Sequence, residues 1–117
     1  MSGAFHFPSV GALPIVERVT DANPKTIVDA TESAVIVAWF QVNEVANATP
    51  NLTVDIYDGT NAHYLGDDAG VTWVTKAVAA KTSYRFTYGI IVPKGSLLRV
   101  TSSAGGVHVI GVRQRQI

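Results

Sequence analysis

The segment SLLRVTSSAGGVHVIGV, residues 96–112, decides the fold class of this chain. Two runs rich in branched apolar residues flank the small residues Ser103–Gly106, where glycine allows a tight reversal of the backbone. The pattern predicts a β-hairpin in which Leu98 and Val100 face a hydrophobic core. The segment has one arginine, one histidine, no carboxylate and no cysteine, which indicates a scaffold element without reactive chemistry.

The same strand pattern recurs along the chain, and no window keeps the apolar spacing of an amphipathic helix. The run 51–58 alternates between apolar and polar residues, and Asp58–Asn61 is a turn signal that predicts a second hairpin. We expect strands at residues 12–19, 25–30, 33–43, 51–58, 61–65, 71–79, 82–92, 96–102 and 106–115. Short strands at this spacing predict an all-β, antiparallel, jelly-roll-like β-sandwich as a single domain over residues 13–117. An extended N-terminal arm, residues 1–12, precedes it.

The composition limits the classes of protein to which the chain can belong. Of its 117 residues, 47% are hydrophobic, 15% are charged and none is cysteine. Such a domain can fold without disulfides or metals, and so low a charge content predicts that partners cover part of its surface. The N-terminus lacks signal-peptide features, and the longest apolar run, Ala34–Phe40, is too short to cross a bilayer. We therefore expect a soluble protein made in the cytoplasm, with no membrane partner.

One predicted strand differs from the others because it is apolar on both faces. This strand, within Ser33–Val42, must pack one face in the sandwich and the other against something else. A covering loop and a neighbouring subunit are both possible, and the low charge content favours the subunit. The arm, with Phe5 and Phe7, has no strand pattern of its own, and such segments are often ordered by a partner.

The charged residues are unevenly distributed although the net charge is zero. All nine acidic residues lie at or before Asp68, and seven basic residues with no acid follow from Lys76 onward. The asymmetry indicates either an interaction face or two halves whose strands interleave and mix the charges. The basic residues are spread singly and form no nucleic-acid-binding motif, so we expect no nucleic-acid partner.

Potentially reactive residues are present, but not in catalytic or metal-binding patterns. His6, His63 and His108 lie far apart, and the polar stretch 58–68 does not match a calcium loop. No nucleophile motif and no glycine-rich phosphate loop occurs. We predict no enzyme, no catalytic residue, no metal and no cofactor.

The aromatic residues leave one alternative open. Trp39 and Trp73, with four tyrosines, could form a platform that stacks on sugar rings, as in carbohydrate-binding β-sandwich modules. Core packing explains the same residues, since Tyr84 and Phe86 have the spacing of one strand face.

The order of motifs resembles small β-sandwich virion proteins of tailed bacteriophages. The residues that carry the resemblance are VDIYDG at 54–59, the Tyr64-Leu65 pair, the Pro93–Gly95 turn, VTSSA at 100–104 and the valine-rich strand 107–112. The resemblance covers residues 26–117. It implies a structural role in the particle: capsid decoration (cement), a head–tail connector, a tail component or the base of a fibre. It implies no catalytic residue.

These expectations lead to a specific set of contacts. We expect a homo-oligomer, with a trimer preferred, that binds the major capsid protein or other virion proteins and is located in the virion. The candidate residues for subunit contacts are Phe5, Phe7, Trp39, Arg113, Arg115 and Ile117.

Overall fold

Ten β-strands build the computed structural model, which describes residues 12–115. They are β1 (Ala12–Val19), β2 (Lys25–Asp29), β3 (Val35–Glu44), β4 (Asn51–Tyr57), β5 (Ala62–Tyr64), β6 (Lys76–Ala77), β7 (Ser83–Phe86), β8 (Ile90–Val92), β9 (Leu97–Ser102) and β10 (Val107–Arg115). No helix occurs within the described range.

The strands form two antiparallel sheets that pack face to face. In the first sheet the order is β1-β10-β3-β7, and β8 also pairs with β3. In the second sheet the order is β2-β9-β4-β5, and β6 also pairs with β4. From β1 to β4 and from β8 to β10, consecutive strands alternate between the sheets, which is the interleaved order of a jelly roll. The predicted antiparallel β-sandwich is confirmed.

The prediction that residues 96–112 form a hairpin is wrong. β9 lies between β2 and β4 in the second sheet, whereas β10 lies between β1 and β3 in the first. The turn between them crosses from one sheet to the other, with Gly105 and Gly106 at positive φ. The alternation of apolar and polar residues predicts which side of a strand is buried, and Leu98 and Val100 are buried as predicted. It does not predict which strand is the hydrogen-bonded neighbour.

Two other predicted strands are shorter than expected. Only Lys76–Ala77 of the run 71–79 pairs with β4. The run 82–92 is divided into β7 and β8 because Asp68 accepts hydrogen bonds from the backbone N–H (2.7 Å) and the hydroxyl (2.6 Å) of Thr87. Gly89, at φ +71°, then turns the chain back into β8. The 51–64 hairpin is confirmed, since β4 pairs with β5 around Gly59.

The core lies between the two sheets and is centred on three aromatic rings. Phe40 and Phe86 stack with their ring centroids 4.4 Å apart, and Trp73 meets Phe86 edge to face at 5.3 Å. The indole N–H of Trp73 donates to Asp67 at 2.9 Å, so its polar atom is satisfied although the side chain is fully buried. The centre of the space between the two sheets is therefore filled by the protein's own side chains.

Candidate interaction face

A β-bulge in β3 determines which side chains reach the surface of the first sheet. Trp39 pairs with Val112, but the next partner, Arg113, pairs with Val37, so Ala38 is an extra residue on β3. As a result Val37 and Phe40 both point into the core and are fully buried. Trp39 lies on the opposite side, where 36% of it is exposed.

The strand register places apolar side chains of β1, β10, β3 and β8 on the outer side of the first sheet. Val16 lies opposite Ile110, Val112 lies between Pro14 and Trp39, and Ile36 lies opposite Ile91. Val16 is 72% exposed, Ile91 65% and Ile110 39%. We call this surface the apolar face; it comprises Pro14, Val16, Ile36, Trp39, Ile91, Ile110 and Val112.

The apolar face is bordered at one end by neutral and basic side chains. Ser83 donates to the Oδ1 atom of Asn43 at 2.7 Å, and Gln41 donates to the same atom at 2.6 Å. Arg85 Nε donates to Gln41 Oε1 at 3.3 Å, and Arg18 is exposed at the far side of the sheet. Within residues 12–115, no carboxylate falls on the outward positions of these strands, because Glu17 and Glu44 occupy inward positions.

The outer side of the second sheet is chemically different. Arg99 donates from Nε and Nη2 to the two oxygens of Asp55, both at 3.0 Å, and its guanidinium lies 4.1 Å from the centroid of the Tyr57 ring. Asp55, which is only 3% exposed, raises the pKa of Arg99 above its ordinary value, chiefly through these hydrogen bonds. Asp55 and Arg99, on this side of the sandwich, are therefore paired with each other within the chain.

The Asp55–Arg99 ion pair shows how the fold distributes the acidic and basic residues of the two halves of the sequence. Asp55 belongs to the acidic half of the sequence and Arg99 to the basic half, and they are directly opposite in the β4–β9 register. Glu17 and Lys25 are 3.6 Å apart at another edge. The strands of the two halves thus interleave, which was one of the two explanations that the sequence left open.

A shallow open cleft of about 260 Å³ lies beside Trp39. Gln41, Arg85 and Thr87 line its other sides, and Thr87 is fixed by Asp68. The cleft combines one half-exposed indole with a guanidinium, an amide and a hydroxyl. It could hold a small polar group or the side chains of another protein.

The predicted contact residues are distributed unevenly over the described chain. Trp39 lies at the centre of the apolar face. Arg113 is half-buried, on an inward position of β10. Arg115 ends β10, and Phe5, Phe7 and Ile117 lie outside the described residues.

Most of the apolar face was missed by the sequence reasoning. The apolar pattern of the sequence indicates Trp39 and the strand around it, but the prediction did not include Val16, Ile91 or Ile110. A signal was present, since β1, β8 and β10, like β3, carry apolar residues at both odd and even positions. Strands with one solvated face normally alternate between apolar and polar residues.

Two of the carboxylates in residues 12–115 accept backbone N–H groups of turns. Asp58 has its pKa lowered to about 2, chiefly by the backbone N–H of Asn61 and then by His63, whose Nε2 is 2.8 Å away. Glu44 accepts the backbone N–H of Lys81 at 2.8 Å, which lowers its pKa. No group of three or more His, Asp or Glu side chains in this range could hold a metal, and no helix there could span a membrane.

No protein-family model matches the chain, and no curated protein sequence does. Among solved structures, the fold is similar to a pentameric capsid protein from metagenomic phage sequences (16% identity, TM-score 0.45, 96% of this chain and 71% of that one). It is also similar to the pilus subunit of Bacillus endospore appendages (15%, 0.42, 91% and 86%) and to the cyanophage Pam1 capsid (17%, 0.40, 91% and 81%). A xylan-binding domain matches more weakly. Similarities with identities this low and TM-scores below 0.5 do not indicate a function for this chain.

Proposed function

We propose that this chain is a structural subunit of a bacteriophage particle, and specifically a capsid decoration subunit that binds and stabilises the assembled head shell. The observation that carries the proposal is the apolar face, which lies outside a core that is already complete. A contiguous exposed apolar face of this kind is typical of a surface that binds a partner. The assignment to a bacteriophage particle rests on the resemblance of the sequence to small virion proteins of tailed bacteriophages.

The size of the apolar face supports contact with a partner. Four strand positions about 4.8 Å apart and three rows of side chains about 6.7 Å apart give roughly 400 Å². That is the size of a functional patch on a monomer, and about half of the 800 Å² that each partner contributes to a standard interface. Further contacts from outside the face are therefore needed. We assign them to Phe5 and Phe7 of the arm and to Arg113, Arg115 and Ile117 near the other end of the chain.

The partners in this proposal are the major capsid protein and further copies of the chain, with three copies around a symmetry axis. Closed cyclic symmetry is the usual arrangement for identical subunits. Repetition over a shell adds avidity, so each contact can be weak by itself.

The first test places charges on the apolar face. The double variant Val16→Asp/Ile91→Asp adds two carboxylates at its most exposed positions, where folding has no need of the apolar side chains. We expect at least a tenfold loss of binding to particles that lack the protein, with an unchanged melting temperature. Thr26→Asp/Asn51→Asp adds two carboxylates at exposed positions of the second sheet and is the matched control. Undiminished binding of the double variant would refute the proposal.

The copy number separates decoration from the alternatives within the particle. A decoration subunit is present in on the order of hundreds of copies, whereas a connector ring, a tail component or a fibre base has about six or twelve. Quantitative mass spectrometry of purified particles gives this number directly. A copy number of about twelve would indicate that the chain is a component of the neck or tail and not a decoration subunit.

A second candidate function is carbohydrate binding at the cleft beside Trp39. The specific observation is the half-exposed indole flanked by Gln41, Arg85 and Thr87. Trp73, the other aromatic considered for this role, is fully buried and can take no part. Titration with glycans should quench tryptophan fluorescence saturably in the wild type and not in Trp39→Ala. Tyr64→Ala, an exposed aromatic on the second sheet, should bind normally. No saturable binding on a glycan array would exclude this function.

A further inference from the structure

The outer side of the first sheet is arranged in rows, because residues that pair across neighbouring strands point to the same side. The row that crosses the sheet at Ile110 consists of Val16, Ile110, Gln41 and Arg85. The row beside it consists of Pro14, Val112 and Trp39. We call them the first and the second row.

A charged side chain lies at the β7 end of each row. Arg85 ends the first row, and its Nε donates to Gln41. Thr87, two residues further along the chain, lies beside Trp39 of the second row. Asp68 accepts both hydrogen bonds of Thr87 and donates its own backbone N–H to the carbonyl oxygen of Arg85 at 2.9 Å. The first row therefore ends in a cation and the second row in an anion.

Arg85 and Asp68 influence each other within one copy but do not neutralise each other by direct contact. Hydrogen bonds from Thr87, and then the charge of Arg85, hold the pKa of Asp68 below its ordinary value. No ion pair joins the two side chains in the part of the chain that the structure describes, and both are exposed. Each can therefore also face an opposite charge on a partner.

A second copy of the same face supplies those opposite charges in the right places. A two-fold axis that is perpendicular to the strands and passes between the rows lays the first row of one copy over the second row of the other. Ile110 then meets Val112, and Arg85 meets Asp68, twice in each pair of copies. A two-fold axis parallel to the strands would lay Val16 over Arg85 and cover a guanidinium with an apolar side chain, which is costly.

We propose that two copies of the free protein pair through the apolar face about the perpendicular axis, with Arg85 of each copy opposite Asp68 of the other. The two Arg18 side chains then lie at opposite ends of the pair, because Arg18 is one position beyond the first row on β1. Each copy contributes roughly 400 Å², so the pair buries about 800 Å² in total, below the size of a stable interface. The pair should therefore be weak and dissociate on dilution. The inference goes beyond the proposed function, since the pair has to open before the apolar face can bind the head shell.

Charge reversal tests the contact between Arg85 and Asp68. Arg85→Glu and Asp68→Lys should each weaken self-association in sedimentation by about tenfold or more, because both contacts of the pair then join like charges. An equimolar mixture of the two variants should associate as strongly as the wild type, since a pair with one copy of each has opposite charges at both contacts. Lys94→Glu makes the same charge change in an exposed turn and should associate normally.

Tryptophan fluorescence tests the pairing without any change at the charged residues. Trp39 is 36% exposed and would be covered in the pair, whereas Trp73 is fully buried in the single copy already. The emission of the wild type should shift to shorter wavelength as the concentration rises, and Trp39→Phe should show no shift. This measurement also decides the case in which Asp68→Lys unfolds because it loses its contacts with Thr87.

Two results would overturn the inference. If the two charge variants keep their melting temperatures but associate no better as a mixture than alone, Arg85 and Asp68 do not face each other. If the sedimentation and the emission of the wild type do not change up to about 1 mM, no second copy covers the face. Both results leave the particle-binding and copy-number tests of the proposed function unaffected, so the two proposals fail separately.

Discussion

Replacing Gly111 by alanine should destabilise the fold at the point where β10 passes the bulge of β3. A Cβ atom on Gly111 would lie 2.4 Å from the carbonyl oxygen of Trp39 and 2.8 Å from the Cα of Phe40. Both are backbone atoms, so the two central strands of the first sheet would have to move apart. Overpacking of this kind costs about 1–3 kcal/mol, which lowers the melting temperature of a domain this size by roughly 4–15 °C.

The matched control is Gly66→Ala. There the nearest atom to an added Cβ is the carbonyl oxygen of Val71 at 3.5 Å, an ordinary contact, and the φ angle is not positive. This variant should have the wild-type stability or gain up to about 1 kcal/mol, because alanine restricts the unfolded chain. Urea denaturation of both variants gives the comparison. If Gly111→Ala is as stable as Gly66→Ala, the close packing at the bulge is refuted.

Three other contacts lead to measurable effects on stability. Because folding lowers the pKa of Asp58 from its ordinary value of 3.8 to about 2, the contribution of this carboxylate to stability is present above pH 4 and is lost as the pH falls toward 2. Asp58→Asn should therefore be less stable than wild type at pH 6 and show a flatter acid limb in thermal melts; parallel curves would contradict this. Arg99→Ala leaves the nearly buried Asp55 carboxylate unpaired and should cost about 3–5 kcal/mol in urea unfolding. Asp55→Val/Arg99→Met should regain most of that loss, and no recovery would argue against an unpaired charge as the cause. Phe86→Ala removes the ring that contacts Phe40 and should cost about 3–5 kcal/mol by calorimetry, so a loss below 1 kcal/mol would be inconsistent with the packed core.

Local patterns in the sequence were sufficient for the strands and some of the turns. β1 and the β4–β5 hairpin lie where alternation and the Asp58–Asn61 turn signal placed them. These features depend on residues close together in the chain. Positive φ at Gly59 is an example, since glycine is needed wherever such a turn occurs.

What the sequence could not provide depended on distant residues. The pairing of β10 with β1 and β3 is decided by packing between sheets, so the turn 103–106 was assigned to the wrong kind of connection. The break between β7 and β8 depends on Asp68, which is 19 residues from Thr87. The outward direction of Trp39 could not be predicted without the bulge. The extra residue Ala38 changes which residues of β3 point toward the core and which point outward.

The central position of β10 has a consequence for the order of folding. β1 and β3 are made early, but they do not pair with each other, and both wait for residues 107–115 to come between them. Pairing between strands that are distant in sequence is slow, because the entropy cost of closing a long loop comes before any stabilising contact has formed. Until β10 has been synthesised, β3 can pair only with β7 and β8, and Val16 and Ile110 have not yet been brought together. A nascent chain therefore cannot display the complete apolar face until β10 has joined β1 to β3.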